Sequence, residues 1–188
     1  MRKNLKSIGV VLAVIIIIIM LLTGIYNGLV NKKEEVENKL ADISVQLERR
    51  TDLIPNLIST VKGYASHEEK VINNVSTARE NLINAKSVED KAIANQKLTD
   101  ALNSLTVVVE NYPDLKANTN FINLQDELAG TENRIAVARK DYNEAVKNYN
   151  REIKKFPQVL FARLFGFEEE KYFEAKESAN NVPQVSFD

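Results

Sequence analysis

The sequence predicts an all-α protein, with an N-terminal transmembrane helix followed by an elongated antiparallel bundle of three to four helices. Three observations lead to this prediction. Only six glycines and four prolines occur in 188 residues, a low turn content that favours long helices over sheets. An apolar stretch without charge lies near the N-terminus, and apolar residues then recur at steps of three and four over most of the chain.

The apolar stretch covers residues 7–26 and contains five consecutive isoleucines at 15–19. A helix of this length spans about 30 Å, which is the thickness of the hydrocarbon core of a bilayer. The alternative, a cleaved signal peptide, has a shorter apolar core and an Ala-x-Ala-like cleavage site, and neither feature occurs here. We therefore predict a single-pass protein of the cell membrane that contacts the bilayer through residues 7–26.

The orientation of this span is predicted from its flanks. The basic N-terminal flank, residues 1–6, contains no acidic residue, and this favours an N-terminus inside the cell with the bundle outside. The counts of lysine and arginine alone do not decide the orientation, since three basic residues lie close to each end of the span. These are Arg2, Lys3 and Lys6 before it, and Lys32, Lys33 and Lys39 after it.

A helical bundle is predicted over residues 27–176, followed by a poorly ordered tail at 177–188. The predicted helices cover about 32–84, 88–111, 118–155 and 158–176. Within the first of them, Pro55 either kinks or ends the helix, and Gly63 is a second weak point. Ser87 is placed to cap the second helix, and the apolar seam of the third helix is long enough to need partner helices, as in a coiled coil.

The segment after Pro157 is short and very apolar. It has two interpretations: a final helix that closes the bundle, or a patch that touches the membrane surface or a partner. Its large apolar side chains are Val159, Leu160, Phe161, Leu164, Phe165 and Phe167.

Several kinds of chemistry are excluded or disfavoured by composition. The absence of cysteine excludes disulfides, thiolate catalysis and cysteine-ligated zinc. His67 is the only histidine, and no glycine-rich phosphate loop occurs. Without the three basic residues before the span, 22 basic and 26 acidic residues remain, a net charge of −4 that is unsuited to nucleic acid. We predict no enzymatic activity, cofactor, metal, nucleic-acid partner or small-molecule substrate.

The candidates for structural or interaction sites are the cluster at 49–56 and the charged residues placed within the predicted apolar faces, namely Glu68, Arg79, Glu132 and Arg139. Because the first and third helices of an up-down-up bundle run parallel, we expect Arg79 to pair with Glu132 and fix the register. The full set is Arg49, Arg50, Asp52, Pro55, Asn56, Glu68, Arg79, Glu132 and Arg139.

Two interpretations apply to the paired arginines Arg49 and Arg50. In the first, one of them pairs with Asp52 or with an acid of a neighbouring helix and so restrains a kink at Pro55. In the second, the cluster is a conformational or partner-docking point.

The segment that contains these arginines resembles a known family motif. Residues 49–57 read Arg-Arg-Thr-Asp-Leu-Ile-Pro-Asn-Leu, similar to the Arg-Arg-x-Asp-Leu-Ile-Pro-Asn-Leu run of the LemA family of bacterial membrane-anchored proteins. The closing residues 182–187 resemble the Pro-x-Val-Asp-Phe end of that family, with Ser186 in place of the aspartate. The resemblance covers nearly the whole chain, including residues 62–65, 67–68, 78–79, 112–118, 131–136, 138–139, 142–143, 149–150 and 156–157.

This resemblance implies a helical antiparallel bundle on a membrane anchor, with no agreed enzymatic activity. Some members of the family are associated with remodelling or organising bacterial membranes. We expect a non-enzymatic scaffold or tether that self-associates, as a homo-oligomer, or docks other proteins of the bacterial envelope. The alternatives are a membrane-remodelling protein that acts on the bilayer and a sensor that relays a signal through the long first helix.

Overall fold

The computed structural model of the chain describes residues 2–174, with side chains at residue 9 and at residues 11–174. The all-α fold class is confirmed, since the described secondary structure is helical. Six helices follow one another in the described part of the chain: α1 Arg2–Lys62, α2 Glu69–Asn84, α3 Val88–Val109, α4 Pro113–Lys116, α5 Thr119–Lys154 and α6 Gln158–Phe165.

Helix α1 contains the apolar stretch. Among the described residues it is the one helix long and apolar enough to cross a membrane. The side chains of residues 11–22 are exposed, so no other described part of the chain covers them. A helix that shows an apolar surface on all sides needs an apolar surrounding, as a bilayer provides.

The helix predicted over 32–84 is wrong as a single element, because α1 ends at Lys62 and α2 begins only at Glu69. Pro55 lies inside α1 and does not end it. The break falls instead at Gly63, whose amide bonds to the carbonyl of Thr60 at 3.3 Å in a tightened last turn. Glycine destabilises a helix interior by about 1 kcal/mol relative to alanine, which makes this position a favourable end.

The final helix was also predicted too long, at 158–176. Helix α6 ends at Phe165 because Gly166 adopts the left-handed conformation, with φ of 73°. The amides of Gly166 and Phe167 both bond to the carbonyl of Ala162, which closes the helix end. The predicted tail at 177–188 lies outside the described residues.

The remaining helix ends differ from prediction by a few residues. Helix α3 ends at Val109 rather than 111, and α5 covers Thr119–Lys154 rather than 118–155. The connection between the helices predicted at 88–111 and 118–155 contains the single-turn helix α4. As expected, Ser87 caps α3, with its hydroxyl accepting from the amide of Asp90 at 3.0 Å.

The contacts divide the chain into two compact units. Unit 1 consists of the segment that ends at Asn38 and of Glu144–Glu170. Unit 2 consists of Lys39–Asn143 and of the segment that begins at Lys171. The single bundle domain predicted over 27–176 stays a prediction, and the units are described separately below.

Unit 2 has an apolar core formed mainly by α1, α2, α3 and α5, with Leu115 of the short helix α4 also buried. Its buried side chains coincide largely with the apolar faces predicted from spacings of three and four residues. They include Ile43, Leu47, Ile54, Leu57 and Val61 of α1, Ile72, Val75 and Leu82 of α2, Leu98, Leu105 and Val109 of α3, and Phe121, Leu128, Ile135 and Tyr142 of α5.

Unit 1 has a smaller core and an unusual link to the chain after α6. The side chain of Asn150 brackets the backbone of Glu170: its Nδ2 donates to the Glu170 carbonyl at 2.8 Å, and its Oδ1 accepts from the Glu170 amide at 2.9 Å. This side chain therefore fixes the described segment that follows α6, which has no regular secondary structure. The buried apolar residues of the unit are Leu29, Val36, Ala145, Val146, Tyr149, Ile153 and Ala162.

Candidate functional site

Arg50 lies at the centre of a polar cluster inside unit 2. It is only 3% exposed, and its guanidinium reaches two other helices. Nη1 donates to Oδ1 of Asn95 at 2.7 Å, and Nη2 donates to Oγ1 of Thr99 at 3.1 Å, both on α3. Nη1 also forms an ion pair with Oε2 of Glu132 on α5. One arginine thus connects α1, α3 and α5.

The electrostatics of the cluster depend on this pairing. Burial lowers the pKa of Arg50, and the nearby Glu132 carboxylate acts in the opposite direction. A guanidinium nevertheless stays charged at any physiological pH. Its Nε has no hydrogen-bond partner among the described residues. A buried charge with an unfilled donor depends strongly on the partners that it has.

Arg79 has a different partner from the one predicted. The expected Arg79–Glu132 pair is wrong, because Arg50 takes Glu132. Arg79 instead donates from Nε to the main-chain carbonyl of Thr51 at 2.8 Å. In a helix that carbonyl would accept from the amide four residues later, but this residue is Pro55, which has no N–H.

The hydrogen bond from Arg79 therefore compensates for the amide that Pro55 lacks. The proline leaves the Thr51 carbonyl without its helical donor, and an unpaired carbonyl in a partly buried place is costly. The arginine of α2 supplies the missing hydrogen bond and attaches α2 to α1 at that point. This explains why a proline is accommodated in the middle of a long helix.

A second set of charges lies at the surface between α1 and α5 of unit 2. Arg49 Nη2 pairs with Oε2 of Glu127 at 2.9 Å, and Arg134 Nη2 lies 3.9 Å from the same oxygen. Arg134 also donates from Nε to Oε1 of Gln46 at 3.2 Å. All of these groups are solvent-exposed or half-buried, so each pair contributes little to stability.

The other predicted site residues are spread over unit 2. Asp52 is exposed and makes no hydrogen bond or ion pair with any described residue, so neither arginine pairs with it. Asn56 and Arg139 are also exposed. Glu68 precedes α2, and its Oε1 accepts from the hydroxyl of Tyr112 at 2.8 Å.

The Glu68 hydrogen bond joins the turn after α1 to the turn after α3. It raises the pKa of Tyr112, because the carboxylate stabilises the protonated phenol. A second bond, from Nδ2 of Asn118 to the hydroxyl of Tyr64 at 2.9 Å, links the same two turns. The family-like segments 62–65, 67–68 and 112–118 thus hold one end of unit 2 together.

The geometry of unit 2 offers little support for a catalytic site. A cleft of about 250 Å³ borders Arg50 and is lined by Thr99, Leu102, Gln125 and Glu132, among others. It contains neither a histidine nor an activated nucleophile. In the described part of the chain, no group of three histidine, cysteine, aspartate or glutamate side chains is placed to hold a metal ion.

A surface groove in unit 2 was not predicted from the sequence. It lies between α1 and α5 and has a volume of about 420 Å³. Val45 and Val137 line it and are 59% and 61% exposed. Both valines lie outside the positions that the spacing of three and four residues assigns to the apolar faces. An apolar residue at such a position is a sequence sign of an exposed apolar surface. The lining residues are Asp42, Val45, Gln46, Asn133, Arg134, Val137, Ala138 and Asp141.

Comparisons with known proteins point to one family. The sequence model of the LemA family matches residues 39–187. The chain is similar to Magnetosome protein MamQ 2 of Paramagnetospirillum magneticum, with 29% identity over 86% of this chain and 68% of the relative. It is 26% identical to Magnetosome protein MamQ of Magnetospirillum gryphiswaldense, over 85% of this chain and 70% of the relative. Protein LemA of Metamycoplasma hominis is 23% identical, over 82% of this chain and 71% of the relative.

Proposed function

The chain belongs to the LemA family, and from that premise we propose that it is a non-enzymatic, membrane-anchored helical scaffold that associates with a second copy of itself. The observation that supports this most is the groove between α1 and α5 in unit 2, with its exposed valines Val45 and Val137. Apolar side chains grouped within a polar rim are typical of protein interfaces.

The charges around the groove favour a second copy as its occupant. Arg134 is basic, whereas Asp42 and Asp141 are acidic, so the lining carries both signs. In a two-fold symmetric pair each surface meets its own copy. In the arrangement that we propose, the axis brings Arg134 of one protomer opposite an acidic residue of the other. A surface with both signs around an apolar centre is self-complementary in this way.

The polar cluster supports a scaffold by holding the helices in fixed positions. Arg50 connects α1 to α3 and α5, and Arg79 connects α2 to α1. The groove is formed by two of these helices, so its shape depends on them. A partner surface on fixed helices needs little reorganisation on binding.

The first test measures the oligomeric state of the full chain in nanodiscs or mild detergent. We expect Val45→Lys combined with Val137→Lys to convert the assembly to monomers, because burying two lysines in an apolar contact is unfavourable. The matched control is Val107→Lys on α3, which replaces a valine that is 70% exposed and lies outside the groove. If the double variant keeps its assembly size, the proposed interface is wrong.

A charge exchange tests the pairing across the two-fold axis. Arg134→Glu alone should weaken association, because it places three acidic residues around each groove. Addition of Asp42→Lys restores opposite charges across the interface and should recover part of the association. Failure of the second change to restore any association would contradict the two-fold arrangement, while association of the wild type only with other envelope proteins would favour a docking scaffold instead.

The orientation in the membrane is also a proposal, with the N-terminus inside and the bundle outside. It is supported by the basic flank before the apolar span. Because the chain has no cysteine, a single Ser104→Cys on α3 can be labelled with a membrane-impermeant maleimide in intact cells. Labelling is expected without permeabilisation, and labelling only after permeabilisation would reverse the orientation.

A further inference from the structure

We propose that α6 lies in the interface of the same bilayer that α1 enters, with its apolar side chains between the lipid headgroups and the acyl chains. The inference concerns unit 1 only and does not depend on the groove in unit 2. It follows from three features: the outward face of α6, its contacts with Tyr26 and its small size.

The outward face of α6 is apolar. Leu160 and Leu164 are four residues apart, one helical turn, and both are exposed, Leu164 to 74%. Phe156, four residues before Leu160, is exposed as well. On the inward side only Ala162 is buried. Val159 and Phe161 are half-buried, whereas Leu160 and Leu164 face away from unit 1, the reverse of the usual arrangement for large apolar side chains in water.

Aromatic contacts place this helix at the end of the apolar stretch of α1. The ring of Tyr26 meets that of Phe165 edge to face, with centroids 5.1 Å apart, and that of Phe167 at 5.8 Å. Tyr26 is the last residue of the apolar stretch 7–26 and is followed by the polar Asn27, and tyrosine is enriched where membranes meet water. A helix that packs against Tyr26 lies at the level of the bilayer surface.

A lipid surface fits the size and charge of the patch better than a protein does. An eight-residue helix cannot by itself supply the roughly 800 Å² that each partner buries in a stable interface. Arg163 is exposed on α6 and forms no ion pair with any described residue. In an interfacial helix, such a guanidinium can bind lipid phosphate while the neighbouring leucines enter the acyl region.

The test uses tryptophan fluorescence, because the natural chain has no tryptophan. Full-length Leu164→Trp is reconstituted in vesicles of phosphatidylethanolamine and phosphatidylglycerol, with or without brominated acyl chains, which quench only tryptophans in contact with them. The matched control is Val107→Trp, at an exposed site of α3. We expect quenching of the α6 probe to exceed that of the control several-fold.

Two results would overturn the proposal. Quenching of the α6 probe by aqueous iodide to the same extent as the control would place α6 in water. Blue-shifted emission without quenching by brominated lipid would mean that protein covers the helix.

A second variant tests whether quenching by brominated lipid depends on the apolar face of α6. Leu160→Asp in the Leu164→Trp background should lower partitioning of the helix by at least about tenfold, and lipid quenching should fall to the level of the control. Circular dichroism verifies that the fold is kept, which is expected at an exposed position. Undiminished lipid quenching in this variant would contradict insertion through the leucine face.

Discussion

The two units differ in which side chains they bury: unit 2 buries a charged side chain, whereas unit 1 exposes large apolar ones. Unit 2 encloses a charged side chain, Arg50, and surrounds it with Asn95, Thr99 and Glu132. Unit 1 leaves large apolar side chains such as Leu164 in contact with solvent on α6. A buried charge is stable only with partners, and an exposed apolar face is stable only with a covering surface. The partners of the first are found within the described chain, whereas we propose lipid as the covering surface of the second.

Among the polar contacts of unit 2, the largest expected effect comes from removing the partner of the buried charge. Glu132→Ala should lower the free energy of unfolding by about 2–3 kcal/mol, because it leaves Arg50 buried without its counter-charge. The control is Glu127→Ala, which breaks the exposed pair with Arg49 and should cost less than about 1 kcal/mol. Denaturant titration of the full chain in detergent, followed by circular dichroism, measures both.

A further variant shows whether charge or shape matters at this position. Arg50→Met combined with Glu132→Leu should recover most of the stability that Glu132→Ala loses, since neither charge remains. Equal losses for Glu132→Ala and Glu127→Ala would contradict the distinction between the pair of the buried Arg50 and the exposed pair of Arg49.

The next effect concerns the carbonyl that Pro55 leaves without a donor. Arg79→Ala should cost about 1–1.5 kcal/mol, because the carbonyl of Thr51 loses the donor that replaces the missing amide. In a Pro55→Ala background the amide is restored, and the same Arg79 substitution should cost much less. A double-mutant cycle over the two positions measures this coupling.

Arg139→Ala serves as the control for loss of an exposed arginine, and we expect a change within about 0.5 kcal/mol. If Arg79→Ala costs the same with alanine as with proline at position 55, the arginine does not act through that carbonyl.

A pH-dependent effect concerns Tyr149 in unit 1 and arises only under alkaline conditions. Burial, together with the charges of Glu170 and Glu168, raises the pKa of Tyr149 to about 12. Its unfolded-state pKa is about 10. The protonated phenol therefore favours the folded state, and this stabilisation is complete below pH 10 and lost as the pH rises from about 10 to about 12.

Tyr149→Phe should remove that alkaline loss of stability. At neutral pH the change should be within about 0.5 kcal/mol, because the buried hydroxyl has no hydrogen-bond partner among the described residues. Unfolding profiles of the wild type and the variant between pH 8 and about 12 provide the comparison. An unchanged alkaline decline in the variant would assign the loss to other groups.

The smallest effect on stability is expected at Leu164, the exposed apolar residue of unit 1. Leu164→Ala in detergent should change the free energy of unfolding by less than about 0.5 kcal/mol, since the side chain is not part of the core. Ile153→Ala, at a buried position of the same unit, should cost about 2–4 kcal/mol. Similar costs at the two positions would mean that the fold itself covers Leu164.

The sequence was sufficient for the fold class and for most of the core. Spacings of three and four residues identified buried positions such as Ile43, Leu98 and Ile135, because a helix must bury one face. The end of the first long helix was misplaced. The sequence marks Pro55 more strongly than Gly63 as a helix-breaking position. A hydrogen-bond donor from another helix can compensate for a proline, however, and only the tertiary structure reveals that donor.

The polar sites were less predictable, since pairing depends on the relative rotation of helices. Arg50 and Glu132 were recognised as unusual, but Asn95 and Thr99 were not, because a single asparagine or threonine in a helix gives no signal of burial. The sequence led us to pair Arg79 with Glu132, on an assumed stagger. A small rotation or shift of the helices is enough to exchange one arginine for the other.

The proposed self-association through Val45 and Val137 is tested most directly by cross-linking in native membranes. Because the chain lacks cysteine, Val45→Cys, Val137→Cys and the control Val107→Cys can each be treated with a short bis-maleimide. We predict covalent dimers of the two groove variants and monomers of the control. Monomers of all three variants, or equal cross-linking at Val107, would contradict a symmetric interface at the groove.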